Sequence, residues 1–323
     1  MSGSRLSTVF DDGMLPLPEG PVCVVRPGVG HDLSALPEAV VIETFYPDHA
    51  YWAAMGRTMA REMPPVDMAV VVVPRAKALA RAMLAEAVAK ARLVLVDGQK
   101  TDGVDSLWRD LRKRLGRDLP SVTKAHGRLF WFEAAGVDLA DWAMAPPARG
   151  PEGFYTQAGV FSDGAVDRGS ALLAAALPAK LGPRVADLGA GWGYLGAAVL
   201  AREGVAQLDL IEAEALALDC ARLNITDPRA AFHWADATAF RSEAKYNTVV
   251  TNPPFHAGRA ADPGLGRAFI AAAAGMLVPN GTLWLVANRH LPYEATLREA
   301  FVKVDEAGGD GAFKVYSATR PKA

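Results

Sequence analysis

The chain has 323 residues, of which 51% are hydrophobic, and a formal net charge of −2 at pH 7. That length and composition predict a globular protein long enough for two domains, and the lack of a stretch of about 20 uncharged apolar residues argues against a transmembrane helix. A charge this close to neutral excludes a general attraction to nucleic acid, so any contact with it has to be local.

The cysteines and histidines give no sign of cross-links or metal binding. Cys23 and Cys220 each lie in an apolar segment, which predicts buried thiols in a reducing cytoplasm. The histidines are scattered without metal-ligand spacing, so we expect no metal site. The start of the chain lacks a basic segment followed by an apolar core, which argues against a secretory signal.

The N-terminal half alternates strand-like and helix-like segments. Residues 68–74 form an apolar run typical of a buried strand, and the alanine-rich residues 75–91 predict a helix. Residues 92–98 predict the next strand and its turn. This alternation indicates an α/β domain.

Basic residues outnumber acidic ones over residues 100–128. Arg109, Lys113 and Arg117 recur every four residues and could share one helical face, although Gly116 could end that helix sooner. The segment is a candidate local contact with nucleic acid, and the alternative is an ordinary solvated helix face. Further along, residues 145–153 are rich in proline and glycine. We therefore predict one domain over residues 1–145 and a second over residues 154–323.

A glycine-rich turn follows a short apolar strand in the second half. Gly189, Gly191 and Gly193 let the backbone pass close to a ligand, and a helix is predicted from residue 194. The spacing of residues 191–196 also fits the G-x-G-x-x-G fingerprint of a dinucleotide site. Asp187 precedes the first glycine and could hold an ammonium group, which is an odd choice beside a pyrophosphate.

Two further acidic side chains follow predicted strands. Glu212 ends the strand of residues 207–211 and could accept hydrogen bonds from both hydroxyls of a ribose, a feature common to several nucleoside cofactors. Residues 233–237 predict a third short strand, in which Asp236 suits an adenine amine and Ala237 lies beside it. Carboxyl ends of parallel strands are where open α/β sheets bind ligands.

The tetrapeptide of residues 252–255 follows the β-rich run of residues 246–251. Its prolines fix φ, lack an N–H and hold the preceding residues extended, which predicts a rigid turn at the strand end. The side-chain carbonyl of the asparagine and the main-chain carbonyl of the first proline can then converge as two acceptors beside an aromatic ring. That arrangement suits a planar group with an exocyclic NH2. The residues are Asn252, Pro253, Pro254 and Phe255.

The order of these motifs resembles the class I S-adenosylmethionine-dependent methyltransferases, with Asn252 closing the cofactor site and the tetrapeptide as the amine-methylating signature. Other segments narrow the resemblance to the RsmC/RlmG family of ribosomal RNA guanine-N2 methyltransferases. They are Gly159-Val160-Phe161-Ser162, Asp167-Arg168-Gly169-Ser170, Ala287-Asn288-Arg289-His290 and Phe313-Lys314-Val315-Tyr316. The match covers roughly residues 159–317, and the first half resembles the family more loosely over residues 97–104.

The resemblance implies an α/β, Rossmann-like class I methyltransferase fold with S-adenosyl-L-methionine as cofactor. It implies ribosomal RNA or a ribosomal subunit as the partner, and the exocyclic N2 amine of a guanine as the acceptor. Small- and large-subunit enzymes share these motifs, and we expect 16S rather than 23S RNA. Asn252 and Pro253 would accept the amine hydrogens while Phe255 stacks on the base. Substrate contacts are predicted at the site entrance and on the last strand, from Phe161, Arg168, Ser170 and Lys314.

Bland alternatives exist for several of these residues. Phe161 could be an ordinary core aromatic, and Arg168 could form a surface salt bridge. Trp192 inside the glycine turn has no role that the pattern explains. The first half also resembles the second in the order of its segments. Val24-Val25-Arg26-Pro27-Gly28 resembles a degenerate glycine turn, and Glu43 follows a predicted strand. Val73-Pro74-Arg75-Ala76 occupies the position of the tetrapeptide. We expect an internal duplication whose first copy is degenerate, and the alternative is that both halves repeat βαβ units without a common origin.

Other functions remain open at this point. The tetrapeptide also resembles that of adenine-N6 enzymes and of glutamine-N5 enzymes acting on release factors. A dehydrogenase would rest on the glycine turn alone. A non-enzymatic RNA-binding or ribosome-assembly protein would require decay of the second half as well, whose glycines, acids and tetrapeptide are intact.

Overall fold

The computed structural model describes residues 4–162, 165–254, 256–257, 260–261 and 263–322. The chain divides into two compact units, Met1–Pro146 and Pro147–Ala323. Each unit is built on its own seven-stranded sheet. Among the described residues, no helix is long and apolar enough to cross a membrane.

The first unit places strands and helices in alternation. Its helices are α1 (Arg5–Asp11), α2 (Tyr46–Ala54), α3 (Lys77–Lys90) and α4 (Val104–Leu115). Its strands are β1 (Val22–Val25), β2 (Val40–Ile42), β3 (Met59–Ala60), β4 (Val66–Val72), β5 (Ala91–Gln99), β6 (Ser121–Lys124) and β7 (Gly127–Glu133). Short 3₁₀ turns occur at Lys100–Asp102 and Ala140–Trp142.

The second unit opens on a small ladder of two short strands and continues into the larger sheet. Its helices are α5 (Arg168–Ala176), α6 (Tyr194–Leu200), α7 (Ala215–Asn224), α8 (Pro263–Met276) and α9 (Tyr293–Ala300). Its strands are β8 (Ala148–Arg149), β9 (Tyr155–Thr156), β10 (Arg184–Leu188), β11 (Gln207–Glu212), β12 (Ala230–Trp234), β13 (Tyr246–Thr251), β14 (His256–Ala257), β15 (Ala260–Ala261), β16 (Leu277–Asn288), β17 (Phe301–Gly309) and β18 (Phe313–Pro321).

The two large sheets have the same topology. Their strand orders are β3-β2-β1-β4-β5-β7-β6 and β12-β11-β10-β13-β16-β18-β17. In each, the first five strands in this order run parallel, the sixth is antiparallel to both of its neighbours, and the seventh therefore points in the same direction as the first five. The order in which the chain adds strands reverses at β10, with β11 and β12 on one side and β13 and β16 on the other, and open α/β sheets bind ligands at such a switch point.

The second sheet is covered on both faces, which explains its apolar central strands. On one face, Ile270 and Ala273 of α8 and Leu297 of α9 pack on the sheet. On the other face, Leu173 of α5 and Val199 of α6 do so. The central strands are thereby rigid supports for whatever side chains follow their carboxyl ends.

The structure confirms that Gly116 ends the basic helix early, and it corrects the bounds of one predicted strand. Gly116 adopts φ +63° and ends α4 after Leu115, so Arg117 does not continue the basic helical face. β12 covers residues 230–234 instead of 233–237, so Asp236 lies in the turn after the strand.

Candidate cofactor and active site

The candidate site lies where β10, β11 and β13 end side by side. Asp187 is the penultimate residue of β10, Glu212 ends β11 and Asn252 directly follows β13. A pocket at this edge is lined by Phe161, Ser162, Asp167, Ser170, Gly189, Ala190, Gly191, Trp192, Tyr194, Leu195 and Asn252. Of the predicted site residues, Phe161, Ser170, Gly189, Gly191 and Asn252 line this pocket.

The glycine turn needs its glycines for their backbone conformation. Gly189, Gly191 and Gly193 have φ values of +72°, +56° and +92°, in a region that side chains disfavour. Gly193 is also the N-cap of α6. The amide of Gly191 donates to Oε2 of Glu212 at 2.7 Å, so the carboxylate already holds the turn against β11.

Asp187 is a completely buried carboxyl group without its own partner. Its side chain has no exposure, and neither oxygen makes a hydrogen bond of normal geometry with a described residue. Burial, together with the nearby charge of Glu212, raises the pKa of Asp187 to about 8. The amide of Gly196 lowers this pKa, but by less than the other two effects raise it. A buried acid in this state favours either a proton or a cationic partner, which fits a ligand with an ammonium group.

Replacing this carboxyl group should change the pH dependence of stability in the ligand-free protein. An unfolded aspartate ionises near pH 4, whereas Asp187 in the fold holds its proton up to a pKa of about 8. Stability therefore falls as the pH rises between these values. Asp187→Asn cannot ionise, so its gain in Tm over wild type should be larger at pH 8 than at pH 5. Thermal unfolding at both pH values checks this, and an equal difference at both would contradict it.

Glu212 is held in place by backbone amides. Its Oε1 accepts from the amide of Glu214 at 2.8 Å, and its Oε2 accepts from Gly191. Burial raises the pKa of Glu212, while these two amides lower it. Each carboxylate oxygen keeps lone-pair capacity for a further donor, as contact with ribose hydroxyls requires.

Asp236 and Ala237 lie in the turn after β12. Oδ1 of Asp236 accepts from the amide and the hydroxyl of Thr238, at 2.8 and 2.7 Å, which forms an Asx turn. Ala237 is buried. Contact of these two residues with an adenine stays a prediction.

The side chain of Asn252 has its two ends in different surroundings. Its Nδ2 donates to Oδ2 of Asp167 at 2.8 Å and to Oγ of Ser170 at 2.9 Å. Its Oδ1 is shielded from solvent and accepts no hydrogen bond from a described residue. Pro253 is buried and Pro254 exposed, while Phe255 lies outside the described residues. The hydrogen-bonding group that the Asn252 side chain leaves unused is therefore its acceptor, Oδ1, because its donor Nδ2 already has two partners.

Asp167 belongs to one of the segments that carry the family resemblance, but it was not predicted as a site residue. It is the N-cap of α5, where its Oδ2 accepts from the amide of Ser170 at 2.8 Å. Ser170, predicted as a substrate contact, lines the pocket and accepts a hydrogen bond from Nδ2 of Asn252, and its contact with a substrate stays a prediction. An aspartate directly before a helical run is a usable capping signal, but nothing in the local sequence connects Asp167 to Asn252.

Trp192 fastens the segment before α5 to the glycine turn. Its indole donates to the carbonyl of Phe161 at 3.1 Å, and its ring packs against Phe154 and Tyr194. Asn224 adds to this anchor, because its Nδ2 donates to the carbonyls of Trp192 and Tyr155 at 2.8 and 2.9 Å. The tryptophan therefore has a structural role in the turn.

Phe161 lines the pocket, yet its side chain is 56% exposed. The alternative of an ordinary core aromatic is excluded by this exposure. An exposed aromatic ring at a pocket rim offers a face for stacking.

The two predicted basic substrate contacts form ion pairs within the second unit. Arg168 lies 2.7 Å from Oδ2 of Asp310, although it is 67% exposed. Lys314 pairs with Glu294 and lies 3.8 Å from Oε2 of Glu306. Contact of either residue with RNA stays a prediction, and such contact would compete with these pairs.

The corresponding edge of the first unit is built differently. Arg26 N donates to the carbonyl of Ile42 as Gly189 N does to that of Ile211, so Arg26 stands in the place of the first glycine. Its φ is +55°, and its guanidinium lies 3.9 Å from Oε1 of Glu43. Val25 pairs with Val71 as Leu188 pairs with Thr251, so Val72 takes the position of Asn252. The sequence pattern alone places Val73 there, one residue later. The first unit thus has an arginine where the second unit has the first glycine of its turn.

Three of the eight basic residues over residues 100–128 form ion pairs with acids of the first unit. The pairs are Arg112–Asp118, Arg114–Asp141 and Arg128–Asp105.

Both cysteines are buried, and burial raises the pKa of Cys23 to about 12 and that of Cys220 to about 11. In the part of the chain that the structure describes, no group of three or more His, Cys, Asp or Glu side chains could hold a metal ion.

Comparison with known proteins gives consistent relatives. The profile of the methyltransferase small domain family matches residues 152–317. Ribosomal RNA small subunit methyltransferase C of Shewanella sp. (strain MR-4) is 32% identical over 78% of this chain and 76% of that protein. The protein of the same name from Shewanella piezotolerans is 30% identical over the same shares.

A solved structure extends the similarity to both units. It is described as the T. thermophilus 16S rRNA N2 G1207 methyltransferase (RsmC) in complex with AdoMet and guanosine. It is 27% identical, with a TM-score of 0.76, and the match covers 95% of this chain and 90% of that one.

Proposed function

The chain is a methyltransferase of the ribosomal RNA small subunit methyltransferase C family, and from that premise we propose that it methylates the exocyclic N2 amine of a guanine in 16S ribosomal RNA, with S-adenosyl-L-methionine as donor. The observation that carries the proposal is the buried, unused Oδ1 of Asn252 beside the glycine turn. A hydrogen-bond acceptor fixed at this point suits a substrate whose methylated group carries N–H donors.

The residues of the second unit fit this cofactor. The buried carboxyl of Asp187 suits an ammonium group, Glu212 suits ribose hydroxyls, and the positive-φ glycines allow close approach of the backbone. Asp236 and Ala237 would meet the adenine. When bound, the cofactor supplies a methyl group activated by a sulfonium: the N–C bond forms as the C–S bond breaks, its electron pair passes to sulfur, and the nitrogen loses a proton to water.

Asn252 and Pro253 would act on the acceptor nitrogen. The lone pair of guanine N2 is delocalised into the ring, which makes the amine a poor nucleophile. Two carbonyl oxygens that each accept one N–H would favour a pyramidal nitrogen with its lone pair directed at the methyl group. They would also stabilise the positive charge that grows on nitrogen, an interaction that is stronger in the transition state than in the ground state.

Aromatic side chains would hold the plane of the base. Phe161 is exposed at the pocket rim, and Phe255 follows the two prolines in sequence. Stacking on such rings is tolerant of sequence and stabilises a base outside its helix by about 1–3 kcal/mol. A target base inside a duplex must first leave its stack, or be reached before the RNA has folded.

The first unit would contribute RNA binding or structural support without a cofactor site of its own. Arg26 in the place of the first glycine supports that division of roles. Ribosomal RNA as substrate places the protein in the cytoplasm under this proposal.

Product analysis with purified components tests the proposed function. The protein is incubated with methyl-labelled cofactor and, separately, with 16S RNA, small subunits, 23S RNA and DNA. The RNA or DNA is then digested to nucleosides. We expect label in N2-methylguanosine from 16S RNA or small subunits. Label in N6-methyladenosine, or in protein only, would contradict the proposal and favour the adenine or glutamine alternatives.

A further inference from the structure

We propose that Asp167 is a positioning residue that decides which end of the Asn252 amide faces the acceptor base. The inference rests on the proposed function, because it assigns a role in the same reaction. It starts from two contacts and one unused acceptor: Nδ2 of Asn252 lies 2.8 Å from Oδ2 of Asp167 and 2.9 Å from Oγ of Ser170, and Oδ1 has no partner among the described residues.

The orientation of an asparagine amide is set by its hydrogen-bond partners, since its oxygen and nitrogen ends have similar shape. An ionised carboxylate can only accept, so Asp167 binds the NH2 end of Asn252 and repels the oxygen end. A turned amide would place an NH2 group where the base brings its own amine. The acceptor that the reaction needs would then be lost, although every side chain in the site remained.

The carboxylate is itself held by the start of α5. The same Oδ2 of Asp167 accepts from the amide of Ser170 at 2.8 Å, as an N-cap does. Leu173 on the next turn of α5 is completely buried against the sheet. Asp167 therefore has a fixed position relative to β13, and through it the amide of Asn252 has one too.

Charge adds to the effect of geometry. A hydrogen bond from an amide to a carboxylate is stronger than one to a neutral acceptor, and bonded groups in a chain polarise one another. The negative charge of Asp167 on the NH2 end makes Oδ1 of Asn252 a better acceptor for a nitrogen that becomes positive. Asparagine at position 167 would keep the helix cap but lose this charge effect on Oδ1 of Asn252, because asparagine and aspartate cap helices about equally well.

An exchange of the two side chains tests the proposal. Asp167→Asn should lower the single-turnover rate of methyl transfer at least about tenfold, the scale of one lost charge-assisted hydrogen bond, while cofactor affinity changes less than about twofold. Asn252→Asp should be at least as slow, because two carboxylates then face each other. The double variant should be at least about tenfold faster than the slower single variant, since an amide at 167 can donate to a carboxylate at 252 and leave one oxygen as acceptor.

Controls separate positioning from capping. Ser4→Ala removes an equivalent N-cap bond from α1, in which the amide of Ser7 donates to Ser4 at 3.0 Å, and should leave the rate unchanged. A wild-type rate for Asp167→Asn, or a double variant no faster than independent losses predict, would overturn the proposal. Rates are scored as total label transferred to whichever acceptor the wild type methylates, so the result stands apart from whether that acceptor is guanine N2.

Discussion

Asn252→Ala is expected to lower the single-turnover rate of methyl transfer by about 10²–10³, the effect of losing one preorganised partner for developing charge. The affinity for S-adenosylmethionine should change less than about tenfold, because the amide acts on the acceptor more than on the cofactor. Its buried Oδ1, fixed by the contacts of Nδ2, is the reason for so large an effect. Single-turnover transfer of labelled methyl to 16S RNA, with calorimetry for cofactor binding, measures both quantities.

The same strand offers a matched control. Asn247 lies near the other end of β13, where its Oδ1 accepts from the amide of Arg184 at 3.1 Å. Asn247→Ala also removes a side-chain amide and should leave the rate of the folded protein unchanged. A near wild-type rate for Asn252→Ala would show that the catalytic interpretation of this motif is wrong.

Glu212→Ala is expected to weaken binding of S-adenosylmethionine by about 1.5–3 kcal/mol, the scale of a hydrogen bond to a charged group. The variant loses an acceptor for ribose hydroxyls and also the bond that holds Gly191 at 2.7 Å. Both losses act on the cofactor, so the affinity should fall more than the rate at saturating cofactor. Calorimetry with the full chain measures this change.

The first unit contains the control for this variant. Glu43 follows β2 as Glu212 ends β11, and it likewise accepts from backbone amides, at 2.9 Å from Thr44 and 2.8 Å from Phe45. If only the second unit binds the cofactor, wild type binds one molecule per chain and Glu43→Ala leaves the affinity unchanged. Two binding sites, or unchanged affinity for Glu212→Ala with its fold intact by circular dichroism, would contradict the assignment.

The family, the enzyme class and the two-domain α/β fold predicted from the sequence are confirmed. They could be predicted because glycine turns, apolar strands and the residues at strand ends are local patterns. Asp187, Glu212 and Asn252 each lie within one residue of the end of a strand whose apolar run is visible in the sequence. Parallel pairing then brings such strand ends to one edge of the sheet.

Contacts between distant segments could not be predicted in the same way. Asp167 and Asn252 are 85 positions apart, and their bond depends on where α5 packs. Trp192 bonds to Phe161 across 31 positions for a similar reason. The ion pairs of Lys314 with Glu294 and Glu306 could not be predicted either, because they depend on where α9 and β17 lie relative to β18.

The central claim is that the second unit methylates guanine N2 in 16S ribosomal RNA, and mass mapping of that RNA from cells with and without the gene tests it most directly. The account predicts that RNA from cells without the gene lacks one methyl group on a guanine. It also predicts that the wild-type gene restores this methyl group and that the Asn252→Ala gene does not. Identical maps in the two strains, or a missing methyl group on another base or in 23S RNA, would contradict the claim.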